Sequence, residues 1–263
     1  MTRRNVRPSA RRPRVVSLRS ADLHLGERLL AAVAAFAVAA VPTALLLVLI
    51  EANWPPLHRL DAGAAHRLHT AVREHPAVLS ALRTLSNGVW DPLTMRLLVA
   101  VAVGWLLWRR AWRLAVWAAA TVTASGLIGW AVKAAVARAR PALPDPVAHA
   151  PGFSFPSGHA MTAATCCTVL LLVFSPVLRP PWRWAARTVA ALSVLGVGFT
   201  RVALGVHWAS DVLGGWLLGL ALVAATGWAF EGWRRETGRP VPPPLAEGLE
   251  PELAPDGPPR PEG

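Results

Sequence analysis

Long apolar runs separated by short basic interruptions dominate the chain. Residues 29–50 form one run about as long as a bilayer-spanning helix, and it carries Pro42, which such a helix tolerates. Further runs at 93–108, 112–136, 160–175, 187–204 and 210–230 predict five more spans, so the pattern predicts an all-α polytopic membrane protein with six transmembrane helices. The first run is too long for a signal-peptide core and lacks a clear cleavage site, which predicts a retained anchor. Residues 51–92 break the pattern. There apolar and polar positions mix at helical spacing, as expected of one or two amphipathic helices lying on the membrane surface. Residues 1–28 read as a basic cytoplasmic segment, 29–233 as the membrane domain, and 234–263, rich in Pro, Gly and Glu, as a disordered tail.

Composition agrees with this reading. The 263 residues are 54% hydrophobic and 16% charged, whereas soluble domains carry about 25% charged residues. A net charge of +12 could suggest nucleic acid. The arginines, however, sit in short clusters between apolar runs, which suits lipid headgroups and membrane topology. Six spans place the clusters before 29, at 109–113, at 179–187 and at 234–235 on one side, read as cytoplasmic. The other side then holds 51–92, 137–159 and 201–209. The asymmetry is incomplete, because 51–92 carries Arg59, Arg67, Arg73 and Arg83. Cys166 and Cys167 are adjacent inside an apolar run, where they read as small buried hydrophobes and not as a disulfide. No CxxC or His/Cys cluster suggests zinc.

The chemically unusual residues fall on the non-cytoplasmic side, in three groups. In "AVKAAVARARP", Lys133 is the sole lysine among 27 Lys plus Arg. Lys133 and Arg140 lie nearly two helical turns apart, so they share a face about 10 Å apart if the helix runs on to Pro141, with Arg138 off that face. In "FPSGH", Ser157, Gly158 and His159 open a helix, where a hydroxyl and backbone N–H groups make an anion site. In "TRVALGVHWASD", Arg201 precedes His207 and Asp211, whose spacing of four lets a carboxylate hold one imidazole nitrogen and leave the other as nucleophile or base. Each group alone has a plain structural explanation: snorkelling cations, a helix cap, a helix pair. Together they place three cations, two histidines, a serine and an aspartate at the mouths of the same spans. Ionisable residues at membrane depth are functional by default, and three cations with helix N–H groups suit a multiply charged oxyanion such as phosphate. No acidic cluster is available to hold a divalent metal.

The pattern Lys133-x6-Arg140-Pro141, Pro156-Ser157-Gly158-His159, Arg201-x5-His207-x3-Asp211 resembles the three-part signature of the type 2 phosphatidic acid phosphatase superfamily, in order and in spacing. Thr200 departs from the serine common in that family before the arginine, but keeps a hydroxyl. The match covers about residues 125–215. The resemblance implies a metal-independent, cofactor-free membrane phosphatase acting on a lipid phosphate or diphosphate, such as undecaprenyl diphosphate, phosphatidic acid or phosphatidylglycerol phosphate, with its site at the outer face of the cell membrane. It implies that His207 attacks phosphorus, that Asp211 orients His207, and that His159 protonates the leaving oxygen and then activates water. Lys133, Arg140, Arg201, Ser157 and the Gly158 N–H hold the phosphoryl oxygens in this reading. A lipid phosphotransferase using the same site is the nearest alternative. A non-catalytic anion-binding or transport protein is another, and it needs no attacking histidine. The lone lysine finds an explanation as a compact point charge where a planar fork does not fit.

Overall fold

The computed structural model describes residues 30 and 33–236; the basic segment at 1–28 and the tail beyond 236 lie outside the described residues. Among the described residues the chain is all-helical, without strands. Helices α1 (Val33–Ala39) and α2 (Val41–Glu51) are bent by 50° to one another. The bend falls at Ala40, and Pro42, in the first turn of α2, has a ring and a missing N–H that keep the helical hydrogen bonds from running through. The mixed segment folds as α3 (Pro55–Arg73) and α4 (Pro76–Thr84), each entered through prolines that suit a first helical turn. A π-helical turn, Leu85–Val89, follows. Then come α5 (Pro92–Trp108), capped by the Asp91 carboxylate on the Leu93 N–H at 2.8 Å, α6 (Trp112–Val136), α7 (Gly158–Phe174), α8 (Pro180–Ala203) and α9 (Ala209–Glu236).

Four stretches are long and apolar enough to cross a membrane by themselves: 76–108, 112–136, 180–203 and 209–231. The α1–α2 pair makes a fifth if it is counted as one bent span. Helix α7, with 17 residues, is shorter than these but occupies the centre. It packs against α5, α6, α8 and α9. Every residue from Ala160 to Cys166 is buried, so this part of α7 is surrounded by protein and does not need a lipid-facing stripe. Its neighbours turn Leu97, Val101, Leu107, Trp130, Val189 and Leu195 outward, as helices in a bilayer do. Inside the bundle, hydroxyls bond across helices: Thr121 Oγ1 donates to Thr226 Oγ1 at 2.9 Å, and Ser125 Oγ meets Thr165 Oγ1 at 3.0 Å. This is a multi-pass membrane protein.

Helix α7 lies unusually close to α9, and glycine permits it. A Cβ on Gly215 meets the Ser157 carbonyl at 2.7 Å, and one on Gly219 meets the Met161 carbonyl at 2.9 Å. Side chains at these positions would push apart the two helices that carry Ser157 and Asp211.

One expectation is overturned. Helix α6 does not continue to Pro141; it stops at Val136. Ala137 takes a left-handed conformation (φ 48°) and returns its N–H to the Lys133 carbonyl at 3.1 Å, a local C-cap. The chain then runs in an irregular loop, held by the Ser154 N–H donating to the Arg138 carbonyl at 2.8 Å. Lys133 and Arg140 therefore do not share a helix face. The loop folds back and keeps both within electrostatic reach of one another.

Candidate active site

The three sequence groups converge where α6 ends and α7 and α9 begin. Ser157 is the N-cap of α7: its Oγ accepts the Ala160 N–H at 3.4 Å, and its own N–H donates to the Asp211 carbonyl at 2.9 Å. Gly158 opens that helix and His159 follows in its first turn, within electrostatic reach of Arg201, His207, Arg140 and Lys133. Arg201, buried in the last turn of α8, donates from Nη1 to Ser86 Oγ at 2.9 Å. Its Nε has no partner among the described residues. An orphaned buried guanidinium N–H is costly unless an acceptor reaches it, and a phosphoryl oxygen is such an acceptor.

His207 sits in the turn between α8 and α9, and the Arg201 carbonyl accepts its backbone N–H at 3.2 Å. Its Nδ1 lies 3.4 Å from Asp211 Oδ2, and its Nε2 lies 3.1 Å from Arg140 Nη1. A guanidinium can only donate, so Nε2 accepts and Nδ1 carries the proton toward Asp211. This tautomer leaves the Nε2 lone pair on the side of the cations. Burial, chiefly, pushes His207 down to about 4; the Asp211 hydrogen bond and charge oppose this, and Arg140 and Arg201 add to it. The ring is therefore neutral at pH 7.

Arg140 is held on three sides. Nε donates to Gly152 O and Nη2 to Pro151 O, both at 2.9 Å, and Nη1 also reaches Val206 O at 2.6 Å. Burial lowers its affinity for its proton, and the charge of Asp211 works the other way. Lys133 reaches across the gap left by the early end of α6: Nζ donates to Phe153 O at 2.7 Å and lies 3.4 Å from Ser154 O. The ammonium ties the loop before Ser157 to α6. Among the described residues no group of three or more His, Cys, Asp or Glu is placed to ligate a metal.

Two residues escaped the sequence reading. Arg138 does not point elsewhere: Nη1 donates to Asp211 Oδ1 at 2.6 Å and Nη2 to Asp61 Oδ2 at 2.9 Å. Asp61, on α3 and 2% exposed, also accepts the Ser210 N–H at 2.9 Å and the Ser210 hydroxyl. The error about Arg138 came from extending α6. An isolated Asp in an amphipathic stretch carries no signal of its own, and only its burial reveals it.

The segment that carries these residues is similar to known proteins. The PAP2 superfamily model matches residues 111–235. Phosphatidylglycerophosphatase B of Bacillus subtilis is 36% identical over 129 residues, which are 48% of this chain and 62% of that protein, so this chain spans under two thirds of that relative. Decaprenylphosphoryl-5-phosphoribose phosphatase of Mycolicibacterium smegmatis is 34% identical over 152 residues, 56% of this chain and 77% of that protein. Among solved structures, a transmembrane PAP2-type phosphatidylglycerolphosphate phosphatase from Bacillus subtilis shares the fold with a TM-score of 0.62 at 23% identity, covering 78% of this chain and 96% of that one. The matched segment holds Lys133, Arg140, Ser157, His159, Arg201, His207 and Asp211, and on this evidence the chain belongs to the PAP2 superfamily.

Proposed function

We propose that the protein is a membrane lipid phosphatase that works through a phosphohistidine on His207. The observation that carries this reading is the state of that ring. Its Nδ1 faces Asp211 and its Nε2 accepts from Arg140, so a neutral nucleophile stands among cations. The names of the relatives support a lipid phosphate as substrate class.

In this mechanism a phosphoryl oxygen takes the Arg140 donor, and Nε2, released from it, attacks phosphorus. Once the negative phosphoryl group lies among the cations, His159 can take up a proton; the N–P bond then forms as the bond to the lipid oxygen breaks, and that oxygen leaves with the proton from His159. Water, losing its proton to His159, then attacks phosphorus, and inorganic phosphate departs with the N–P electron pair returned to Nε2. Asp211 holds the imidazolium-like ring. Lys133, Arg140, Arg201, Ser157 and the Gly158 N–H stabilise the equatorial oxygens, where one lost donor typically costs about 10²–10³ in rate. These charges replace a divalent ion, so activity should survive EDTA. The substrates weighed are undecaprenyl diphosphate, phosphatidic acid and phosphatidylglycerol phosphate. A cavity of about 390 Å³ opens beside Arg140, between His69, His149 and Val206, and has room for part of a polar headgroup.

The test uses purified protein in detergent with ³²P-labelled phosphatidic acid and EDTA. Wild type should release phosphate, lose activity to orthovanadate, and yield a base-stable, acid-labile phosphoenzyme on quenching. His207→Ala should give neither phosphoenzyme nor turnover. A His207→Ala protein that retains more than a few per cent of activity sinks the proposal, and so does loss of activity in EDTA that Mg²⁺ restores.

A further inference from the structure

We infer that Asp61, carried by α3 outside the PAP2-matched segment, is a positioning residue for His207, acting through Arg138 and Asp211. The inference deepens the phosphatase reading and rests on it for its catalytic consequence, though not for its electrostatic one.

The argument begins with burial. Asp61 and Asp211 are 2% and 0% exposed, and two buried carboxylates this close need a shared counter-charge. Arg138 supplies it, with Nη1 on Asp211 Oδ1 at 2.6 Å and Nη2 on Asp61 Oδ2 at 2.9 Å. The fork geometry matters, since an ammonium could not hold both carboxylates in one plane. The Trp208 ring packs against the guanidinium at 5.6 Å, and its Nε1 donates to the Ala139 carbonyl at 3.0 Å, which closes the bridge from the other side.

Asp61 has a second grip. Oδ1 accepts the Ser210 N–H at 2.9 Å and Oδ2 accepts the Ser210 hydroxyl, so a residue of α3 caps the first turn of α9. Asp211 is the next residue, and its Oδ2 accepts the Trp208 N–H at 2.8 Å. The carboxylate facing His207 is thereby fixed in position by α3 through both the backbone and Arg138.

The charge balance gives a distinct signature. With Arg138 alone, Asp211 would be neutralised. Two carboxylates sharing one guanidinium leave a net negative charge behind His207. Other charged groups facing the ring are Arg140 from the loop after α6 and Arg201 from α8, with His159 of α7 and Lys133 of α6 in the same site. None of these changes when Asp61 is altered. Removing Asp61 should therefore make His207 harder to protonate, and removing Arg138 easier, each on the order of 1 pH unit for charges one relay away.

The experiment titrates His207 directly, by NMR of ¹⁵N-histidine-labelled protein in micelles, with His207→Gln assigning the resonance. Asp61→Asn, Arg138→Met and the double variant are compared with wild type. The expected result is a titration midpoint moved down in Asp61→Asn and up in Arg138→Met. The double variant, which loses one charge of each sign, should return toward wild type. On dioctanoyl phosphatidic acid, Asp61→Asn should lower kcat at least tenfold with KM within twofold, because Asp61 touches no substrate. If Arg138→Met does not fold, the Asp61→Asn and double variants still decide the sign. An unmoved midpoint in Asp61→Asn, or midpoints moving the same way in all variants, overturns the relay and leaves Asp61 a packing residue. A loss confined to KM overturns it in favour of substrate contact. The titration needs no turnover, so a wild type that forms no phosphohistidine would defeat the phosphatase reading while the relay is still judged by its midpoints.

Discussion

Lys133 is the residue whose identity most constrains the site. Its stem must leave α6 three residues before the helix ends and set an ammonium 2.7 Å from the Phe153 carbonyl, beside the loop that leads to Ser157. A guanidinium carries the same charge but is wider and planar, and it would displace the loop or the Arg140 fork. Lys133→Arg should therefore lower kcat/KM by about 10²-fold, the scale of a 1 Å misplacement. Steady-state kinetics in detergent check this, and near wild-type values would make the lone lysine an accident of composition. Arg138 is equally exacting. A helix carried to Pro141 makes Arg138→Lys a mild swap, whereas a guanidinium bridging Asp61 and Asp211 makes it a severe one.

At the scale of elements, the packing of α7 on α9 brings the "FPSGH" and "HWASD" groups together. The backbone does this directly, through the Ser157 N–H on the Asp211 carbonyl at 2.9 Å. Gly215 permits it, since any Cβ there meets the Ser157 carbonyl at 2.7 Å and the Met161 nitrogen at 3.1 Å. Neither atom can swing away as a flexible side chain can. Gly215→Val should part the helices and lower kcat/KM by about 10²-fold or more. Gly104→Ala on α5, where a Cβ meets nothing within 4 Å, should leave it within about twofold. Equal losses in both variants would show a general sensitivity of the bundle instead of this contact.

At the scale of the whole molecule the prediction concerns sidedness. Trp108, Trp112, Trp182 and Trp184 are exposed together with Arg109, Arg110, Arg179 and Arg187 nearby in sequence, at the ends of α5, α6 and α8 opposite the site. Aromatic residues mark an interface and basic residues mark the cytoplasmic side, so the site should face outward. His149→Cys, in the exposed loop before Ser157 and in a background lacking Cys166 and Cys167, should react with an impermeant thiol reagent in intact cells. Labelling only after lysis reverses the orientation. By itself the sequence determined the helical bundle, because bilayer hydrocarbon demands long apolar helices and leaves them visible as runs. It also singled out His159, His207, Asp211 and three cations, because ionisable residues near membrane depth stand out against apolar runs, and the fold gathers them at one end of the bundle. The tertiary structure alone decided where α6 stops, since a left-handed Ala137 follows from loop contacts and not from local propensity. It alone decided that Arg138 and Asp61 join the site, because a bond between residues 77 positions apart depends on how α3 folds over the bundle. Local patterns register burial and period, whereas the pairing of buried charges depends on which distant element supplies the partner.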